Sequence, residues 1–205
     1  MSAVSETIVR EYFELHGFFV RQQRKYVAPS KREDEEIDFL VTNPRCQPGG
    51  AAVPFVLNSP DLANVARAVV VVKGWHTEIF STAVLTHSPE IFRFLEPAVF
   101  KQAVRAFGDG GPLTKILVAP SLPQSSPARE QSIEMLRSKG VDAVIPFGTM
   151  VADLIDHTET NRNYQKSDLL QIIRILKNYD FFKEPQLELF KPKRKRVKKD
   201  AEAES

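Results

Sequence analysis

Glu6, Asp38 and Lys73 are the side chains whose chemistry combines most directly. A few carboxylates, with waters and a substrate phosphate, suffice to hold Mg²⁺, which demands near-octahedral oxygen ligands. A metal held this way lowers the pKa of a bound water and offsets charge building on phosphorus oxygens. A lysine beside that water orients it and stabilises the developing negative charge. Chemistry of this kind serves phosphodiester hydrolysis, for which Asp38 and Lys73 are the candidate catalytic groups. Asp38, Glu6 and Glu36 are the candidate metal ligands, Glu36 because it lies two residues before Asp38 and shares its strand face. His76, just beyond Lys73, is a candidate phosphate contact.

These groups need a helix and two strands to hold them. SETIVREYFELH (5–16) reads as a helix, with Ser5 as cap, Glu6 in the first turn and Ile8, Tyr12 and Leu15 as an apolar stripe. Gly17 fits the left-handed position that ends it. FFVRQQRKYV (18–27) reads as a strand, followed by a charged loop over 30–36. EIDFLVT (36–42) is a second strand, with Ile37, Phe39 and Val41 on one face and Glu36, Asp38 and Leu40 on the other. RAVVVVKGW (67–75) is β-branched and unbroken, as a central strand buried on both faces should be.

The rest of the chain supplies alternating partners. FSTAVLT (80–86) reads as a short strand, and Ser88-Pro89 opens a helical stretch toward Phe107 with a break at Pro97. KILVAP (115–120) is a strand, Ser126-Pro127 opens a helix that Gly140 closes, and VDAVIPF (141–147) is the next strand. SDLLQIIRILKNY (167–179) is an amphipathic helix with Leu169, Ile172, Ile173 and Leu176 at helical spacing. This order implies an α/β domain over 1–182, a mixed central sheet flanked by helices, with a tail over 183–205.

A helix bearing Glu6, a strand bearing Asp38 and a strand ending VVVVKGWH with Lys73 resemble the PD-(D/E)XK, or restriction-endonuclease-like, nucleases. Within that superfamily the chain is most similar to archaeal Holliday-junction resolvases, whose first helix also begins with Glu and ends in Gly-aromatic, as Glu6 through Gly17-Phe18 do here. The resemblance covers about residues 5–80 and implies a DNA substrate, Mg²⁺ as cofactor and a homodimer. In the family an E-x-K pair aims carboxylate and ammonium into one pocket; here that frame is Val71-Val72-Lys73. Valine binds no metal, so the chain reads either as a nuclease with a rearranged site or as a degenerate DNA-binding member. Taken singly the residues have plainer roles. Asp38 suits a solvated strand, Lys73 a strand end, Glu6 a helix dipole worth about 0.3–1 kcal/mol, and Trp75 the core.

The tail carries a separate signal. QLELF (186–190) resembles the pentapeptide with which bacterial DNA-processing proteins engage the sliding clamp, although the usual third residue is Ser or Asp. Leu187, Leu189 and Phe190 offer apolar anchors and Gln186 an amide, while Pro185 and Pro192 keep the segment extended. The same residues suit a tail that packs on its own domain. KPKRKRVKK (191–199), with Lys193, Arg194, Lys195 and Arg196 at its centre, suits contact with a phosphate backbone, a eukaryotic nuclear signal or a plain solvated end. A third function class follows: an interaction protein that docks a partner through its tail.

Charge and composition narrow the setting. The 205 residues carry 28 Lys/Arg and 26 Asp/Glu, but the last fifteen hold seven basic and three acidic residues, which leaves −2 for residues 1–190. The tail, not the body, is the cationic part. A single cysteine, Cys46, excludes an intramolecular disulfide and a cysteine-based zinc site and suits a reducing compartment. No apolar run approaches the ~20 residues of a membrane span, so a cytoplasmic protein is expected.

Overall fold

In the computed structural model, which describes residues 3–22, 37–46, 52–108 and 111–182, the VVVV run forms the middle of a five-stranded sheet. The elements are α1 (Ala3–Leu15), β1 (Phe19–Gln22), β2 (Phe39–Thr42), β3 (Arg67–Val72), α2 (Thr82–His87), α3 (Pro97–Phe107), β4 (Thr114–Ala119), α4 (Ser126–Ser138), β5 (Ala143–Pro146), α5 (Phe147–His157) and α6 (Asp168–Asn178). Short 3₁₀ turns lie at Ser59–Asn64, Pro89–Ile91 and Arg93–Leu95. Strand order follows the chain, β1-β2-β3-β4-β5. β1, β2 and β3 are antiparallel neighbours, whereas β3, β4 and β5 run parallel. The α/β class with a mixed sheet flanked by helices is what the sequence order implies.

Strand alternation sorts the core into two layers. Phe39, Val41, Val70, Val72, Ile116 and Val118 pack against Val9, Tyr12 and Phe13 of α1, Met150 and Leu154 of α5 and Ile173 of α6. Leu40, Val69, Val71, Leu117 and Val144 pack against Leu85 of α2, Val99 of α3 and Leu136 of α4. Burial on both faces explains why β3 needs an unbroken apolar run, each such side chain contributing about 1.5–3 kcal/mol. The β5 edge is covered as well. Val144 donates its N–H to Phe55 O at 2.6 Å and accepts from Leu57 N–H at 2.9 Å, so residues 55–57 shield it.

Several local expectations hold. Gly17 has φ +80°, and Phe18 N–H returns to Phe13 O at 3.0 Å, which ends α1 with a left-handed residue. Ser167 caps α6 by accepting Leu170 N–H at 3.2 Å.

Others differ. α1 starts before Ser5, which lies inside the helix, and Val9, Tyr12 and Phe13 form its buried face while Leu15 is exposed. On α6, Ile172 faces solvent. The 80–86 stretch is not a strand. Its Ser81 accepts Val84 N–H and starts α2, with Leu85 buried, so capping outweighs the β-branched composition. The stretch from Pro89 is two 3₁₀ turns interrupted before Pro97, where the sequence expects its break, and Pro97 then opens α3 in its first turn, where a proline has no N–H to lose. Ile37 joins the Leu40 layer, not the Phe39 and Val41 layer. Regular alternation begins only at Phe39, because Asp38 just before it is tied to β3 through both its backbone and its carboxylate. Among the described residues no helix is long and apolar enough to cross a membrane.

Candidate functional site at the β3 edge

The strand registers bring the end of β1, the start of β2 and the ends of β3, β4 and β5 to one edge of the sheet. The first turn of α1 reaches the same edge, where Ser5 Oγ lies 2.9 Å from His76 Nε2. Glu6, Asp38, Lys73 and His76 therefore share a sheet edge. The sequence places Glu6 on a helix and Asp38 and Lys73 on strands; in the structure Asp38 lies just before β2, and Lys73 and His76 lie beyond the end of β3.

Each of the four has partners that define its local role. Glu6 Oε2 accepts from Gln22 Nε2 at 2.6 Å, on the α1 side of the sheet. Asp38 is 5% exposed; its Oδ2 accepts Val72 N–H at 2.7 Å, and its own N–H donates to Val70 O at 3.2 Å. A buried carboxylate accepting a backbone N–H makes a strong, charge-assisted bond that fixes where β3 ends relative to β2. Lys73 N–H continues the β3–β4 ladder to Val118 O at 3.1 Å, and its Nζ donates to Glu90 O at 3.1 Å in the Pro89–Ile91 turn. The ammonium thus reaches into the layer of α2 and α3. His76 is exposed and its ring lies 4.4 Å from that of Phe147, the first residue of α5.

Val71 decides what the edge can do. It is 1% exposed within the layer that holds Val69, Phe80, Leu85, Ile91 and Phe94. Alternation puts Lys73 on this same side, so position 71, two residues before it, is core and not cleft. Among the described residues no three or more His, Cys, Asp and Glu side chains gather to hold a metal. Glu6 and Asp38 are each held by donors from the protein, and Val71 offers no oxygen. The described residues therefore do not make a magnesium site. Glu36 lies outside the described residues, as do Gln186, Leu187, Leu189, Phe190, Lys193, Arg194, Lys195 and Arg196.

At the opposite edge the fold assembles a cluster that the sequence spacing does not reveal. His16 Nε2 lies 2.9 Å from Asp153 Oδ2, and His157 Nδ1 lies 3.6 Å from the same oxygen. Tyr12, fully buried, pairs its hydroxyl with Ser59 Oγ at 3.1 Å beside a cleft of about 380 Å³. The one local signal is Asp153 and His157 at i, i+4 on a helix; the 137-residue separation of His16 from Asp153 hides the rest.

Burial pushes the Tyr12 hydroxyl up to about 12, with the charges of Asp153 and Asp61 adding and the Ser59 hydrogen bond opposing. The folded state thus holds this proton to higher pH than the unfolded chain, whose tyrosine titrates near 10.0. The contribution is intact below pH 10 and is lost as pH rises through about 12, at roughly 1.4 kcal/mol per unit. In urea titrations between pH 9 and about 12, Tyr12→Phe should show a shallower fall in stability than wild type. Parallel pH profiles would refute the assignment.

Comparison with family models, with curated proteins and with solved structures finds no match for this chain.

Proposed function

We propose that this chain is a DNA-binding protein on a restriction-endonuclease-like scaffold whose phosphodiester-cleaving site is degenerate. The observation that carries the reading is Val71, buried in an apolar layer at the position where an E-x-K pair would need a carboxylate. The element order supports the scaffold: α1, three antiparallel strands, then a helical crossover to parallel β4. The convergence on one edge of the elements that carry or adjoin Glu6, Asp38, Lys73 and His76 supports it too. DNA repair, replication or defence is the setting such a protein would serve. A second reading, Mg²⁺-dependent cleavage using Asp38, Glu6 and Glu36, would require Glu6 and Asp38 to leave the Gln22 and Val72 donors that hold them.

The test is fluorescence anisotropy with labelled duplex and four-way-junction DNA over a series of salt concentrations, with a Mg²⁺ cleavage assay alongside. Binding without cleavage is the expected result. Changing Lys193, Arg194, Lys195 and Arg196 together to alanine should reduce the slope of log affinity against log salt by about 3–4, at roughly 0.9 for each phosphate no longer neutralised. Leu189→Ala with Phe190→Ala should leave that slope unchanged and weaken any binding to a purified sliding clamp. Mg²⁺-dependent cleavage abolished by Lys73→Ala would establish the second reading. No binding to either DNA at low salt would remove both.

A further inference from the structure

We infer that the cleft between the β3–α2 turn and α2 takes one unpaired nucleobase, stacked on Trp75 and read at its amino edge by Glu78. The inference rests on the DNA-binding reading and names what that edge of the sheet would select.

The chain leaves β3 and turns back over Trp75–Glu78, a turn closed by Glu78 N–H donating to Trp75 O at 2.8 Å. Two bonds tie this turn to the chain after β4: Ser121 Oγ donates to Glu78 O at 3.2 Å, and Phe80 N–H donates to Ser121 O at 2.9 Å. Trp75 is half-buried and held edge-on by Phe80, ring centroids 5.9 Å apart. The indole and Glu78 thus stand at the two ends of a braced turn, on the wall of a cleft of about 590 Å³. Ala83, Val84 and His87 of α2 line the cleft with them.

A half-exposed indole with alanine and valine beside it suits a flat apolar body, and a few polar groups at the rim would fix its orientation. Glu78 is exposed and its carboxylate has no partner among the described residues. An ionised carboxylate only accepts hydrogen bonds, so it selects a ligand with an N–H edge. On its pairing edge cytosine or adenine offers an exocyclic amine and guanine N1–H beside its amine, whereas thymine's one donor, N3–H, is flanked by two carbonyls that the carboxylate repels. The same charge keeps a phosphate out of the cleft, so the base enters and the backbone stays outside, where His76 is exposed in the same turn. In a duplex the base faces are stacked and the amines paired, so the ligand is an unpaired base.

Trp75 is the only tryptophan in the chain, so its emission reports on this cleft alone. The experiment titrates the full-length protein with 15-mers of dC, dA and dT, an abasic 15-mer and a duplex, following tryptophan emission and, separately, anisotropy of the labelled DNA. Quenching by dC and dA, about ten-fold weaker affinity for dT and no quenching by the abasic strand are expected. Trp75→Ala should lower dC affinity about ten-fold or more by anisotropy while leaving duplex affinity unchanged. Glu78→Gln, an exposed change that leaves the fold intact, should bring dT level with dC because the amide donates as well as accepts. Equal affinity for dC and abasic strands, with no change in emission, overturns the cleft while DNA binding stands. Failure to bind any of these DNAs overturns the DNA-binding reading, and the cleft with it.

Discussion

Val71→Glu is expected to destabilise the protein by about 3–5 kcal/mol, the usual cost of an uncompensated buried charge. For a domain of this size that lowers Tm by about 6–20 °C, at roughly 2–4 °C per kcal/mol. The cause is local. Val71 is 1% exposed, pairs in register with fully buried Leu117, and shares its layer with Ile91 and Phe94. Lys73 lies on the same side by alternation, but its ammonium donates to Glu90 O. Val71→Gln separates shape from charge, since it adds nearly the same volume without ionising. Burial raises the carboxyl pKa of the new glutamate above its unfolded value near 4.3. The charge penalty is therefore absent below about pH 4 and grows as pH rises, so the gap between the Glu and Gln variants should widen from pH 4 to pH 7. Scanning calorimetry at both pH values, with and without Mg²⁺, measures it. A Val71→Glu variant as stable as wild type and further stabilised by Mg²⁺ would mean that the layer opens into a metal pocket, and the degenerate reading would fail.

What the sequence revealed and what it hid follow from the range of the forces involved. The VVVV run of β3 declares itself because burial on both faces leaves no polar alternation, and Gly17 does so because its φ of +80° suits few other residues. Helix α5 is harder to see. Pro146 ends β5 and Phe147 begins the helix with no loop between, so VDAVIPF reads as strand to its last residue. The swap of Ile37 to the other layer depends on bonds that Asp38 makes with residues over thirty positions away, beyond any window of periodicity. At the site the elements were legible and the side-chain partners were not. Lys73 could be placed at the end of β3, but its bond to Glu90 O requires the Pro89–Ile91 turn to pack beside it. The Trp75–Glu78 turn carries no strong turn residue within it, and its brace comes from Ser121 after β4. Such bonds belong to the tertiary fold, and local sequence patterns do not encode them.

Asp38 is where stability and chemistry can be separated by one atom. Asp38→Ala removes the acceptor that holds Val72 N–H at 2.7 Å and leaves that donor at a buried strand end. An unsatisfied buried N–H costs about 1–3 kcal/mol, so Asp38→Ala should lower Tm by roughly 2–12 °C. Asp38→Asn keeps a carbonyl oxygen at the same reach and should recover most of that loss, giving up only the charge-assisted part of the bond. For a metal ligand or catalytic carboxylate the order is different, because an amide oxygen binds Mg²⁺ poorly and takes no proton. If Asp38 works only as a brace between β2 and β3, DNA affinity follows stability across the series, with wild type and Asn close together and Ala apart. If it serves a cleaving site, Asn and Ala are equally inactive in Mg²⁺-dependent cleavage although Asn remains well folded. Thermal melts paired with DNA titrations and cleavage assays on the three proteins distinguish the two patterns. The first is expected, since the carboxylate is 5% exposed and turned to the backbone of β3. Wild-type cleavage lost equally in both variants would return Asp38 to the chemistry and reopen the case for a working nuclease.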